Sequence, residues 1–393
     1  MQKRIAALLS FSLLLGLLLP AAVSARMSEE PAKHKVDLTP NAKSAILMDA
    51  DTGTVLFEKN AHEKLPPASI TKIMTMLLVM EAIRDGKLRW DEKVSASEYA
   101  ASMGGSQIYL EPGEQMTVEE LMKGIALASA NDASVALAER VAGSEDMFVQ
   151  MMNERAQELG MKNTHFANTN GLPAEGHYTT AYDIAIMSRE LLKYEQITKF
   201  TGKYQDYLRQ NTEKPFWLVN TNKLVRFYSG ADGLKTGYTS EAKYCLSATA
   251  KRGDFRVIAV VLGEPNAKTR NTEVTRMFDY AFSQYEVFPI VKAGESLGVL
   301  PIVKGSEKQL ELKADRTFSV LVKKGAASGN LRHEVILDKV KAPLSKGQPI
   351  GKLVIYANEK PLKEFVLTSP KDVKRAGWWT LFRRTMSRAL MLD

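Results

Sequence analysis

The segment Pro66-Pro67-Ala68-Ser69-Ile70-Thr71-Lys72 sets a hydroxyl and an amine three residues apart inside an apolar run. Two prolines cannot extend a helix toward its N-terminus, but they start one well. Ile70, Ile73, Met74, Met76, Leu77 and Leu78 then have the spacing of a mostly buried helix. Residues three apart on a helix share a face, so Ser69 and Lys72 are expected side by side. A lysine carried into a poorly hydrated place can lose its proton and take one from a hydroxyl, which turns that hydroxyl into a nucleophile. A plainer arrangement satisfies the same spacing: a serine N-cap followed by a lysine that snorkels to water. Two further segments bear on the choice. In "ASANDAS", Ser129 and Asn131 are placed to project together from a junction between helices. In "DGLKTGYT", Lys235 and Thr236 are suited to hold an anion, while Gly237 lets backbone approach a ligand closely. Ser-x-x-Lys recurs at Ser240–Lys243 and Ser-x-Asn at Ser328–Asn330, but the first lies in a loop and the second in a Gly/Ala turn. Lys-Thr-Gly occurs once. The three in order, each on a suitable element, are far more specific than their parts.

The elements that must position these residues are legible in outline. "SAILMDADTGTVLFEKN" reads as two strands around an Asp-Thr-Gly turn. Thr117 and Glu120 form a capping box ahead of Leu121, Met122, Ile125 and Leu127, which predicts a helix there. The preceding "ASMGGSQIYLEPGE" reads as an exposed loop with two glycines. The pattern is chiefly helical to about residue 203, turns strand-like after Gly230 through "YCLSATA" and "FRVIAVVLGE", and returns to a helix over 272–285. Strands at both ends of a helical middle predict an α/β (α+β) domain, an antiparallel sheet assembled from the two termini with helices on it. From about 288 to 370, short strand-like runs separated by Gly, Pro and Lys turns predict a small all-β domain.

At 393 residues, 45% hydrophobic and 25% charged, the chain is long enough for two domains. Lys3 and Arg4, the apolar stretch Ile5–Leu19 and Val23-Ser24-Ala25 have the form of a secretory leader cut after Ala25; the alternative is an uncleaved membrane anchor, for which the stretch is short and interrupted by Ser10 and Ser12. A polar linker follows over 26–40. Net charge is +8, and +6 without Lys3 and Arg4. In an exported protein that surplus points to anionic membrane or cell-wall polymers and away from nucleic acid. One cysteine, Cys245, rules out an internal disulfide. The five histidines lack metal-ligand spacing, so no metal site is expected. The last eighteen residues, "AGWWTLFRRTMSRALMLD", place Trp378, Trp379, Leu381, Phe382, Met386, Ala389, Leu390 and Leu392 on one broad helical face. Arginines fall on the other face, and the tail from Lys371 carries +4. That pattern suits a helix lying in an anionic membrane surface, and arginines interrupt it too often for it to span. A terminal helix packed on the β domain is the alternative.

The trio of Ser-x-x-Lys, Ser-x-Asn and Lys-Thr-Gly is shared by penicillin-binding proteins and class A β-lactamases. The chain resembles the low-molecular-mass penicillin-binding proteins, specifically serine-type D-alanyl-D-alanine carboxypeptidases. The likeness runs through leader (1–25), catalytic domain (41–287), all-β domain (288–370) and tail (371–393). "ASMGGSQIYLEPGE" and "KTGYTSEAKYC" look most like members from endospore-forming Gram-positive bacteria. The resemblance implies Ser69 as nucleophile, Lys72 as general base and Ser129 in the proton relay. It places Asn131 near the substrate amide and Lys235, Thr236 and Arg270 around a terminal carboxylate. The oxyanion hole would be the backbone N–H groups of Ser69 and Tyr238, beside Gly237. Some relatives carry histidine where Tyr238 stands, which leaves the backbone role intact. His177, in "GLPAEGHYTTAYD", matches a recurrent family segment and reads as structural. The implied partners are peptidoglycan stem peptides, β-lactams as covalent inhibitors and an anionic membrane surface; no cofactor is implied. A β-lactamase would carry a Glu-x-x-Leu-Asn segment between the second and third motifs, and neither "RELLKYE" nor "ERAQELGMKN" fits it. A non-catalytic wall-binding or β-lactam-sensing protein is a further alternative, opposed by the intact set of reactive side chains.

Overall fold

The computed structural model describes residues 36–210, 212–325 and 331–389. The expected leader, most of the linker, the Ser328–Asn330 recurrence and the last residues of the tail, from Leu390, lie outside the described residues.

Alternating apolar residues in β1 (Ser44–Asp49) point to two different cores. Ile46 and Met48 face one, Ala45 and Leu47 the other, and all four are buried. β1 pairs antiparallel with β2 (Val55–Lys59) across the predicted turn. Its other edge pairs with a strand from more than two hundred residues later, so the termini of the domain do close one sheet. β3 (Ala231–Thr239), β4 (Lys243–Arg252) and β5 (Phe255–Glu264) complete it in the order β2-β1-β5-β4-β3. Apolar runs such as "VIAVV" follow from burial on both faces.

On one face lies the helical layer. α1 (Lys72–Arg84) is its centre, with Ile73, Met74, Met76, Leu77 and Val79 wholly buried. α2 (Asn131–Ala142), α3 (Glu145–Glu158) and α4 (Ala181–Leu191) pack around it. The capping box of Thr117 and Glu120 is present, but its helix runs only over Val118–Lys123 before widening into a π-helical turn, Gly124–Ala128. The opposite face of the sheet is covered by α5 (Ala267–Gln284), through Val274, Met277, Phe278 and Ala281. This helix starts five residues before the expected 272, because Asn266 caps it by accepting the Thr269 N–H.

Tyr285 begins the β region, whose described residues form one two-stranded and two three-stranded sheets around Leu300, Leu353 and Ile355. Val373 and Arg375 still bridge back to Leu344 and Gly305. α6 (Trp378–Ala389) follows, and among the described residues no helix is long and apolar enough to cross a membrane. Phe278 is wholly buried between α5 and the sheet, far along the chain from the Ser-x-x-Lys turn. Phe278→Ala is expected to lower unfolding free energy in urea by about 3–5 kcal/mol. Trp217→Ala, at an exposed site, should change it by no more than about 0.5 kcal/mol.

Candidate active site

Ser69 does not lie on α1 itself. It sits in a 3₁₀ turn, Ala68–Thr71, that Pro67 opens and that runs directly into Lys72 at the head of α1. A 3₁₀ turn stacks residues three apart more directly than an α-helix does, so the spacing works better than the expected single helix would have allowed. Lys72 Nζ lies 3.1 Å from Ser69 Oγ. It donates to Asn131 Oδ1 at 2.6 Å and to the Asn170 carbonyl at 2.6 Å. The lysine is completely buried. Burial holds its pKa well below the usual lysine range; the positive charge of Lys235 adds to this and Asp132 opposes it. A neutral amine has two N–H bonds and one lone pair. In that form the two carbonyl oxygens would take the hydrogens and the lone pair would face the Ser69 hydroxyl. The snorkelling arrangement is therefore not the one adopted.

Ser129 and Asn131 stand where the π-helical turn ends and α2 begins. Ser129 adopts a left-handed conformation, φ 65°, which breaks the helix and turns the chain into α2. Asn131 reaches Lys72 with its oxygen and donates its amide to the Gly104 carbonyl at 2.7 Å. Its neighbour Asp132 is buried and accepts the backbone N–H groups of Ile108 and Leu110. The two-glycine segment is thus only partly an exposed loop. Its tip around Gly104 and Gly105 is open, whereas Ile108 and Leu110 are buried and pinned to α2.

The third motif lies on β3, whose neighbours are Ser247 beside Lys235 and Cys245 beside Gly237. Gly237 presses on the nucleophile turn: a Cβ there would come within 3.1 Å of both Ala68 Cβ and the Pro67 oxygen. Lys235 is buried and donates to the Thr236 carbonyl at 2.8 Å, and Thr236 Oγ1 donates to Thr221 Oγ1 at 2.7 Å. Burial and the nearby Arg270 guanidinium bring the Lys235 pKa down to about 7. Arg270, in the first turn of α5, is itself buried and bonds the Asn271 side chain. Among the described residues no carboxylate is hydrogen-bonded to Lys235 or Arg270, although Glu264 lies near enough to act on Arg270, and an anion beside the two basic groups would stabilise their charged forms. The Tyr238 ring is 56% exposed and leans on Tyr244 at 4.5 Å between centroids.

Two family models match the chain: one described as D-alanyl-D-alanine carboxypeptidase over residues 29–266, the other as penicillin-binding protein 5, C-terminal domain, over residues 285–375. The chain belongs to the D-alanyl-D-alanine carboxypeptidase family. It is 53% identical to D-alanyl-D-alanine carboxypeptidase DacF of Bacillus subtilis, over 95% of this chain and 97% of that one. Among solved structures it is similar to penicillin-binding protein 5 from Haemophilus influenzae, with 31% identity, TM-score 0.69 and coverage of 85% and 98%. Penicillin-binding protein D2 from Listeria monocytogenes, in its ampicillin-bound form, matches with 33% identity, TM-score 0.54 and coverage of 63% and 100%.

The structure brings Ser69, Lys72, Asn131, Lys235 and Gly237 together, with Ser129 two residues before Asn131, and Arg270 joins them from α5 through its proximity to Lys235. Sequence reasoning missed Asn170, Thr221 and Asp132. Asn170 acts through its carbonyl, which no side-chain pattern reveals, and Thr221 lies in a segment with no periodic signal. For a D-alanyl-D-alanine carboxypeptidase the cation pair has a measurable consequence. At pH 8 free Lys235 is mostly neutral, and a bound carboxylate raises its pKa by favouring the ammonium. Binding an acylated D-alanyl-D-alanine peptide to the Ser69→Ala variant should therefore take up a proton at pH 8 and none below pH 6. Calorimetric titration in buffers of different ionisation enthalpy reads this directly; equal heats in all buffers at pH 8 would contradict it.

Proposed function

We propose that this D-alanyl-D-alanine carboxypeptidase removes the C-terminal D-alanine of peptidoglycan pentapeptide stems by serine acyl transfer, with Ser69 as nucleophile and Lys72 as general base. The observation that carries this reading is the buried amine whose two hydrogens are taken by Asn131 and Asn170 while Ser69 Oγ stands 3.1 Å from its nitrogen. The Ser69 proton passes to Nζ as Oγ bonds to the carbonyl carbon between the two D-alanines. The backbone N–H groups of Ser69 and Tyr238 hold the resulting oxyanion; losing one such donor typically costs ~3 kcal/mol of barrier. The C–N bond then breaks, and the departing amine receives the proton through the Ser129 hydroxyl. Water then adds to the ester carbon as Lys72 Nζ takes one of its protons; the bond between that carbon and Ser69 Oγ breaks, and Nζ returns the proton to Oγ, restoring the Ser69 hydroxyl and releasing the shortened acid. Asn131 lines the cleft beside the substrate amide. Lys235, Thr236 and Arg270 hold the terminal carboxylate, with Gly237 leaving room for it.

A β-lactam enters the same sequence as a strained amide whose leaving group stays tethered. The ampicillin-bound form of the Listeria relative supports that extension. Cell-wall maturation, the spore cortex included, is the setting this reading implies. Ser69→Ala is expected to abolish both D-alanine release and covalent penicillin labelling without loss of fold. Lys72→Ala should slow acylation by about 10²–10⁴-fold, the usual scale for losing a general base. A stable penicillin adduct in Ser69→Ala, or wild-type labelling in Lys72→Ala, would sink the assignment.

The same reading places the exported enzyme on the outer face of the cytoplasmic membrane, held by α6. Trp378, Trp379, Phe382 and Met386 are all exposed, and Trp378 stacks on Phe382 at 5.5 Å. Such an aromatic face opposite arginines suits an interfacial helix. Arg384 departs from the expected solvated face: it donates to the Gly305 and Ser306 carbonyls and so pins the helix to the end of the β region. Truncation after Arg375 is expected to yield a soluble enzyme active on small peptides after leader removal. If the truncated, processed protein still sediments with membranes, the anchor lies elsewhere.

A further inference from the structure

Ala68 stands in the left-handed region, φ 48°, immediately before Ser69. That conformation is unfavourable for alanine and persists only when its surroundings impose it. Part of the constraint is steric. The Asn170–Gly171 turn covers the Ala68 carbonyl so closely that a Cβ on Gly171 would lie 1.9 Å from its oxygen. The rest is directional. Thr71 Oγ1 donates to the Ala68 oxygen at 2.8 Å. The same hydroxyl lies 2.8 Å from His177 Nε2, and His177 Nδ1 accepts the Ala167 N–H at 2.8 Å.

These contacts admit one hydrogen arrangement for a neutral ring. Nδ1 accepts, so Nε2 carries the hydrogen and donates to Thr71, whose own hydrogen goes to Ala68. The ring does stay neutral: burial, with His165 nearby, holds its pKa at about 4. His177 is thus the start of a directed chain that ends on one carbonyl. That carbonyl and the Ser69 N–H belong to the same planar peptide group, so the direction of one dictates the direction of the other.

We propose that His177 is a positioning residue: through the Thr71 hydroxyl it orients the Ala68–Ser69 peptide plane so that the Ser69 N–H faces the developing oxyanion. The inference rests on the reading of Ser69 as nucleophile and of its N–H as an oxyanion donor. His177 touches no reacting atom and moves no proton. Its effect is made in the transition state, where charge develops on the oxygen, and not in ground-state binding.

The test is rapid-mixing kinetics of penicillin acylation with the full-length chain in detergent, resolving the acylation rate constant from the dissociation constant of the non-covalent complex. His177→Ala and Thr71→Val should each lower the rate constant at least tenfold while the dissociation constant stays within twofold. Thr71→Ser, which keeps the hydroxyl, should retain the wild-type rate. The double variant His177→Ala/Thr71→Val should be no slower than the slower single one, because both cut the same chain. If His177→Ala does not fold, Thr71→Val, nearly the same in shape, carries the test. Wild-type acylation in a folded variant, multiplicative losses in the double one, or a loss confined to the dissociation constant overturns the proposal. Mapping the penicillin adduct in the unaltered enzyme separates the two ideas: an adduct away from Ser69 overturns the nucleophile reading and this inference with it, whereas an adduct on Ser69 with unaffected variants overturns only the role of His177.

Discussion

A lysine without water is the constraint around which the cleft is organised. Removing an ammonium from solvent without a partner is so costly that the group sheds its proton, and the remaining amine must still satisfy two hydrogens. Lys72 does so with oxygens from two distant parts of the chain, the Asn131 side chain at the head of α2 and the Asn170 backbone. Both acceptors must be fixed before the amine's lone pair has a direction. Asp132 ties the head of α2 to the Ile108–Leu110 segment. On the other side, Asn168 Oδ1 accepts the N–H of Gly171 and steadies the turn that presents Asn170. Loosening either support would let water reach the amine, and a hydrated lysine is a cation with no lone pair to offer.

A second buried lysine, Lys235, has different surroundings. Lys235 is buried beside the Arg270 guanidinium, and burial together with that neighbouring charge lowers its pKa to about 7. Identical side chains thus diverge through environment alone. Lys72 is boxed in by carbonyls beside a hydroxyl, whereas Lys235 lies beside a guanidinium and donates to the Thr236 carbonyl.

The sheet supplies the rigidity this arrangement needs. Covered by helices on both faces, its strands cannot shift without opening two cores at once. β3 carries Gly237 against the 3₁₀ turn, so the third motif is pressed onto the first by the same packing that stabilises the domain. The β region and α6 stand apart from that chemistry. Arg384 anchors the amphipathic helix through two carbonyls, and the tryptophans of that helix are exposed.

Residue types and local periodicity were enough to single out Ser69 and Lys72, the second and third motifs, the hairpin, the capping box and the helix that begins at Trp378. Each of these depends on neighbours within about one turn of helix or one strand, where spacing translates directly into geometry. Even there local competition shifted details. Asn266 began α5 early and drew Arg270 into a buried first turn, and the Ser69 helix proved to be a 3₁₀ turn under its prolines. What packing alone decided are the partners that act through backbone or across long separations: the Asn170 carbonyl, Thr221 beneath Thr236, Asp132 behind the cleft and His177 behind Thr71. A backbone carbonyl has the same chemistry in every residue. Which one meets a buried amine is therefore settled only when the chain has folded around it.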